Sequence, residues 1–413
     1  MSCAYRLHGR ARLTLFESEM EPGGHTHTVD AVENGRPVPV DTGFMVYNEV
    51  TYPLLTRLFR ELEVETVETD MSFGVQHRPT GVEYCGSSLN QVFARRSSLF
   101  RPAFWGMLQD ILRFNRTAVA ALQDPLLATR TLRQFVQEHR FGPAFLHQYL
   151  VPMTSAIWST PPDAMLEFPA HSLLRFMFNH GLLGVNTQHQ WRTVVGGSRS
   201  YRNKLIAPFR DCIRCHNPVA AVHRLEDGVE VVAADGSRHR FDKAVLATHA
   251  DTSCRLLQDA SPGEREVLSA FRYAANTITL HTDESVMPRS RRAWASWNYR
   301  VDALADGRHQ ASTHYWMNSL QHLDTKGHYF VSVNEPGLVD RSRVLREFTF
   351  DHPMFDQATA RAQARLPELN ENRRIYFCGS YFRYGFHEDG LMSGYEAAAR
   401  VLAHHASDAQ LAV

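Results

Sequence analysis

Four short runs of this chain carry residue types at spacings that could do chemistry. Glu17 closes the apolar stretch Ala11–Phe16 (ARLTLF), and a carboxylate at the end of a buried strand is where a dinucleotide-binding fold holds a ribose. Without a nucleotide, the same glutamate is a solvated strand end. Cys212-Ile-Arg-Cys215-His216 has the spacing of a haem attachment site, of a redox pair or of half a zinc site. His25-x-His27 could clamp a metal from one strand face, but two ligands are too few and no carboxylate spacing completes the set. No metal is therefore expected. Near the end, His387-Glu388-Asp389-Gly390 joins an imidazole to two carboxylates, a set able to move protons. It reads equally as a helix N-cap, with Asp389 capping a helix that starts at Gly390.

Periodicity gives the elements that must hold these residues. Ala4–Leu7 ends a helix, ARLTLF is a buried strand, and a glycine turn at Pro22–Gly24 leads into the strand HTHTVD and another at Pro37–Val40. Thr51–Leu62 carries Leu54, Leu55, Leu58, Phe59 and Leu62 at helical spacing. From Phe100 to Leu183 the pattern is long amphipathic helices. Phe104, Trp105, Met107, Leu108, Ile111, Leu112 and Phe114 make one apolar stretch there; such a face is usually core and less often a lipid-facing surface. Strands return at Pro218–His223, Val229–Ala233 and Arg240–Thr248, then at TITLHTD and HYFVSV, and finally at Arg374–Cys378 before a helix over Leu391–His404. This alternation predicts an α/β fold. A discontinuous Rossmann-like domain is expected over 1–75, 190–265 and 365–413, with an α+β substrate domain inserted as 76–189 and 266–364.

Composition narrows the class. A chain of 413 residues exceeds one typical core. Lys+Arg 44 against Asp+Glu 44 leaves no basic field to attract nucleic acid. No apolar run approaches the ~18 residues of a membrane-spanning helix, and MSCAYRLHGR is no export leader. Six scattered cysteines suit a reducing, cytoplasmic location. Lys204, Lys243 and Lys326 are the only lysines, an arginine bias that reads as GC-rich, bacterial coding sequence.

The run FESEMEPGGHTHTVD…VPVDTGFMVYN, with LVPMTSAIWSTPP, FMFNHGLL, WRTVVGGSRSY, HTDESVMP, AWASWNY and CGSYFRYGFHEDGLMSGYEAA, resembles FAD-dependent oxidoreductases of the flavin amine oxidase and phytoene desaturase superfamily. It is most similar to the bacterial predicted NAD/FAD-binding proteins associated with cyclopropane fatty-acid synthase. The matches run in order along nearly the whole chain. The resemblance implies a strand and G-x-G-x-x-G loop ahead of the first helix, and hence a chain truncated at its N-terminus by a mis-assigned start. It also implies non-covalent FAD. Glu17 would take the ribose hydroxyls, Gly23, Gly24 and His25 would pass close to the pyrophosphate or ring, and the backbone of Val219 would pair with adenine. Gly379 and Ser380 would meet the ribityl chain, and Asp389, Gly390, Leu391 and Met392 would open a helix aimed at the flavin N1/C2 edge. Met20, Glu21 and His25 stand where relatives often carry arginine, which weakens the expected cationic support.

By the same resemblance Tyr381, Tyr384, His387, Glu388 and Asp389 fall beside the ring, with Tyr384, His387 and Glu388 as the catalytic candidates. No lysine matches the position that amine oxidases place near N5. The leading expectation is hydride transfer between a hydrophobic, fatty-acyl-type substrate and flavin N5, by desaturation or saturation. Amine oxidation is one alternative. A flavin-free remnant that binds a partner or lipid without catalysis is the other. Contact with the inner membrane face goes with the lipid reading, and nucleic acid does not enter.

Overall fold

The computed structural model describes residues 1–303, 309–371 and 374–411. Two short parallel pairs form one layer: Leu15–Phe16 with Ile213–Arg214, and Ala244–Leu246 with Ile375–Phe377. The partners in each pair lie far apart in sequence, so the chain leaves this layer and re-enters it. Ile375–Phe377 shows why these residues make a buried strand. Ile375 and Phe377 pack with Leu268 and Leu366, while Tyr376 and Cys378 pack with Cys3, Leu7 and Ala397. Alternate side chains thus enter two different cores, as a strand covered on both faces requires. The helices Ser2–Leu7 and His387–Leu411 pack together over the second face.

The run Cys212–His216 belongs to this layer. Its middle residues, Ile213 and Arg214, are the strand paired with Leu15–Phe16, and the His216 amide donates to the Glu19 carbonyl. Among the described residues no group of three His, Cys, Asp or Glu side chains is placed to hold a metal ion.

A seven-stranded mixed sheet forms the second layer, in the order Val344–Met354, Arg272–His281, Phe330–Val333, His309–Trp316, Trp297–Ala303, Phe73–His77 and Val82–Cys85. The boundary expected at 75/76 falls inside the strand Phe73–His77. Helices cover the edge of this sheet. Phe104, Met107, Phe114 and Ala118 of the helix Pro102–Ala121 recur at three- and four-residue spacing and pack into one core with Val75, Val82 and Tyr84. No described helix is long and apolar enough to cross a membrane.

Two elements differ from the sequence reading. Arg240–Thr248 is not one strand: Arg238–Phe241 closes a three-stranded antiparallel sheet, and Ala244–Leu246 joins the parallel layer. The polar pair Asp242–Lys243 separates them, because each half finds a different partner. The last helix begins at His387 rather than at Gly390 or Leu391, because the Phe386 carbonyl accepts the amides of both Asp389 and Gly390.

Buried Asp41 ties together three segments far apart in sequence. Its carboxylate accepts hydrogen bonds from Thr28 Oγ1 at 2.6 Å, the Ser198 amide at 2.9 Å and Gln321 Nε2 at 3.0 Å. Burial still pushes its carboxyl up to about 6.

Candidate functional site

One cavity of about 570 Å³ runs between the layers. Its floor is made by two loops pressed together, 23–26 and 42–45. The Phe44 amide donates to the His25 carbonyl at 2.7 Å, and a Cβ at Gly43 would stand 2.1 Å from that carbonyl oxygen. Only glycine fits there. Gly23, at φ +144°, lies against the Arg202 side chain. Arg202 is buried and pairs with Glu21 at 2.7 Å. The Arg202 side chain therefore reaches Gly23 from the distant helix Arg199–Ile206, with its stem against the glycine and its guanidinium on Glu21. The sequence reading found no cation here because nothing in local spacing signals this contact.

The first turn of His387–Leu411 faces this floor. The His387 ring stacks on Phe44 at 3.9 Å between centroids, and its Nε2 meets the Tyr201 hydroxyl, which also bonds Thr26 Oγ1 at 2.8 Å. Burial pushes His387 down to about 4, so at neutral pH it is a neutral hydrogen-bonding ring and not a stored proton. Beside it His25 lies 5.2 Å from His352 and 6.5 Å from His249. Burial, then the neighbouring imidazoles, push His25 down to about 3, and its Nε2 is buried with no partner. An unpartnered ring nitrogen beside a wall kept bare by Gly23 and Gly24 is what a bound group with a polar edge would complete.

The candidates do not all converge. Gly23, Gly24, His25, Gly379, Ser380, Tyr381, Tyr384, His387, Gly390 and Leu391 line the cavity. Glu17, Val219, Met392, Glu388 and Asp389 are not among its lining residues. Glu17 and Val219 sit near each other, since the Asn217 amide donates to the Glu17 carbonyl at 2.9 Å. Gly390, expected to open the helix with a free amide, has that amide taken by Phe386. Asp389 is no cap for a helix starting at Gly390. It lies in the first turn, and its Oδ2 accepts the amides of Tyr384 at 3.2 Å and Phe386 at 2.9 Å, fixing the turn that presents Tyr384. Burial raises its carboxyl to about 6.

Glu388 needs the plainest correction. Its two carboxylate oxygens accept the amides of Leu54 at 2.8 Å and Leu55 at 2.9 Å. Those amides open the helix Pro53–Glu61, which has no side-chain cap of its own at Tyr52. The expected proton-transfer group is a helix cap supplied from across the fold, because the orphan amides of a helix start attract a carboxylate.

The far wall of the cavity is apolar and aromatic, with Met71, Phe73, Ile157, Phe176, Trp297 and Tyr315. Among the described residues its lining holds no lysine or arginine, and Asp351 is its single carboxylate. Tyr273, His249, His352, Trp297 and Tyr315 were not legible as site residues; they come from strands and loops whose sequence pattern records only burial.

Residues 1–333 match the family described as flavin containing amine oxidoreductase. The chain belongs to that family. The flavin-containing amine oxidoreductase fold is also seen in solved structures. Putrescine oxidase bound to putrescine is similar at 15% identity, over 97% of this chain and 96% of that one, with a TM-score of 0.67. Cyclohexylamine oxidase from Brevibacterium oxydans IH-35A has the same identity and coverage and a TM-score of 0.68. A CLA-producing fatty acid isomerase from P. acnes matches at 12% identity, over 94% of this chain and 92% of that one, with a TM-score of 0.66. No curated protein matches in sequence. The protein is thus an FAD-dependent oxidoreductase of mixed α/β fold.

Proposed function

We propose that this oxidoreductase moves a hydride between a C–H bond of a hydrophobic substrate, of fatty-acyl type, and FAD, by desaturation or saturation. The observation that carries the reading is the far wall of the cavity, apolar and aromatic, with no lysine or arginine among the described residues that line it. FAD supplies the hydride acceptor or donor at N5. The chain's part is to hold it and to exclude water. Gly23, Gly24, Gly379 and Ser380 line the cavity and would lie along the cofactor, and Glu17 with the Val219 backbone would hold the adenosine end. His25 would offer its unpartnered Nε2 to the polar edge of the cofactor. Tyr384, fixed by Asp389, and neutral His387 would orient the reacting carbon. Residues 1–75, 190–265 and 365–413 would form the cofactor domain and 76–189 with 266–364 the substrate domain, save that the strand Phe73–His77 stays whole in the substrate domain.

Amine oxidation is the competing reading. Its support is Asp351, a carboxylate able to hold an ammonium. Against it, Lys204, Lys243 and Lys326 all lie outside the cavity lining.

The test is anaerobic spectrophotometry of the purified yellow protein. FAD should leave with the supernatant on acid precipitation, as non-covalent cofactor does. Saturated acyl substrates should bleach the oxidised flavin, or unsaturated ones should recolour the reduced flavin, while aliphatic amines do neither. Bleaching by amines alone would overturn the proposal.

A further inference from the structure

The helix Pro102–Ala121 has two apolar faces, and only one of them is used. At 100° per residue, Phe104, Met107, Phe114 and Ala118 share the buried side. Trp105, Leu112 and Val119 lie on the opposite side, together with Arg101 and Arg116. Trp105 is 45% exposed and Leu112 51%. An outward helix face is ordinarily polar; this one is not.

The outward face continues into the segment before the helix. Phe100 is 86% exposed and Leu89 79%. Hydrogen bonds knit the three pieces into one surface: Trp105 Nε1 donates to the Leu99 carbonyl at 2.9 Å, and Arg96 Nη1 to the Phe93 carbonyl at 2.9 Å. Charge follows the same boundary. From Ser87 to Gln109 the sequence contains Arg95, Arg96 and Arg101 and no carboxylate. Among the described residues none of these arginines is paired with an acid; they donate to Gly81, Asn90, Phe93 and Thr80. Elsewhere on this helix an arginine does find an acid, Arg113 with Asp110 at 2.7 Å. In a chain with equal numbers of acidic and basic residues, a cationic rim around protruding apolar rings is a local design.

We propose that this surface docks on an anionic lipid membrane, with Leu89, Phe100, Trp105 and Leu112 entering the headgroup boundary and Arg95, Arg96 and Arg101 meeting lipid phosphates. A tryptophan with its polar atom tied to the backbone and arginines beside it suits that interface. A second copy of the chain would bring the same arginines against each other and fits less well. The inference stands on this surface alone and holds whichever substrate the cavity takes.

Flotation of the FAD-bound full chain tests it, using vesicles of phosphatidylcholine alone and of equal parts phosphatidylcholine and phosphatidylglycerol. Binding should be strong only to the mixed vesicles and should fall at high salt. Leu89→Ser with Phe100→Ser removes the two most exposed apolar side chains without touching the core and should weaken binding by more than about tenfold. Each of Arg95→Gln and Arg101→Gln should weaken it roughly fivefold. Circular dichroism and flavin content check that the variants fold. No binding to the mixed vesicles, or full binding by the Leu89→Ser/Phe100→Ser variant, would overturn the proposal. So would a wild-type dimer that this variant turns into monomer without any vesicle binding.

Discussion

Glu388→Ala separates a cap from a catalytic acid. In the folded protein the carboxylate accepts two amides, Leu54 at 2.8 Å and Leu55 at 2.9 Å. A hydrogen bond to a charged group contributes about 1.5–3 kcal/mol, and a lost helix cap costs about 0.5–2 kcal/mol. Burial raises the Glu388 carboxyl above its ordinary value, so part of this gain is already spent on desolvation. The net loss for Glu388→Ala should be about 2 kcal/mol, and for Glu388→Gln, which keeps one acceptor oxygen, about 1 kcal/mol. For a chain of 413 residues the unfolding entropy is roughly 0.9 kcal/mol/K, taking ~2.1 cal/mol/K per residue. Glu388→Ala should therefore lower Tm by about 2 °C, measured by calorimetry with excess FAD so that cofactor loss is not what is read. The flavin reduction rate at saturating substrate should stay within about threefold of wild type. An unchanged Tm together with a hundredfold slower flavin reduction would refute the cap and restore Glu388 as a proton-transfer group.

Two further outcomes are expected. Glu17→Ala should weaken FAD by roughly ten- to a hundredfold, the loss of a charge-assisted ribose contact of ~1.5–3 kcal/mol, read by flavin fluorescence titration; an unchanged affinity would make Glu17 a plain strand end. Stability should fall as pH drops from 6.5 to 5.5. His77, His180 and His281 are buried, with burial pushing each down to about 4, while unfolded histidine binds its proton near ~6.5. The unfolded chain therefore gains protons first, which costs about 3 kcal/mol over that unit for these three together, and the cavity histidines His25, His352 and His387, also pushed down by burial, act in the same direction. Asp41 and Asp389, raised to about 6, act the other way and offset about 1 kcal/mol. Thermal melts at the two pH values read the difference, and a Tm that is flat or rises on acidification would contradict it.

Local patterns determined much of this protein. Helical spacing in Leu55, Leu58 and Phe59 gave the helix Pro53–Glu61, and the apolar runs gave Ile375–Phe377 and, from TITLHTD, the second half of Arg272–His281, because periodicity reports which faces are buried. The order of motifs carried the family. Glycines before His25 and after Cys378 marked the cavity floor, since a wall without side chains leaves its trace in the sequence. What only the tertiary structure decided is how charge is used. Glu388 turns to a helix start 334 residues away, Arg202 crosses to Glu21, and Asp41 gathers Thr28, Ser198 and Gln321. Electrostatic partners are chosen by distance in space and by the need to satisfy buried polar atoms, and neither is written in spacing along the chain. The same reason hid the histidine group: His25, His249 and His352 lie in three separate segments, and folding brings them together in a cavity that keeps them neutral.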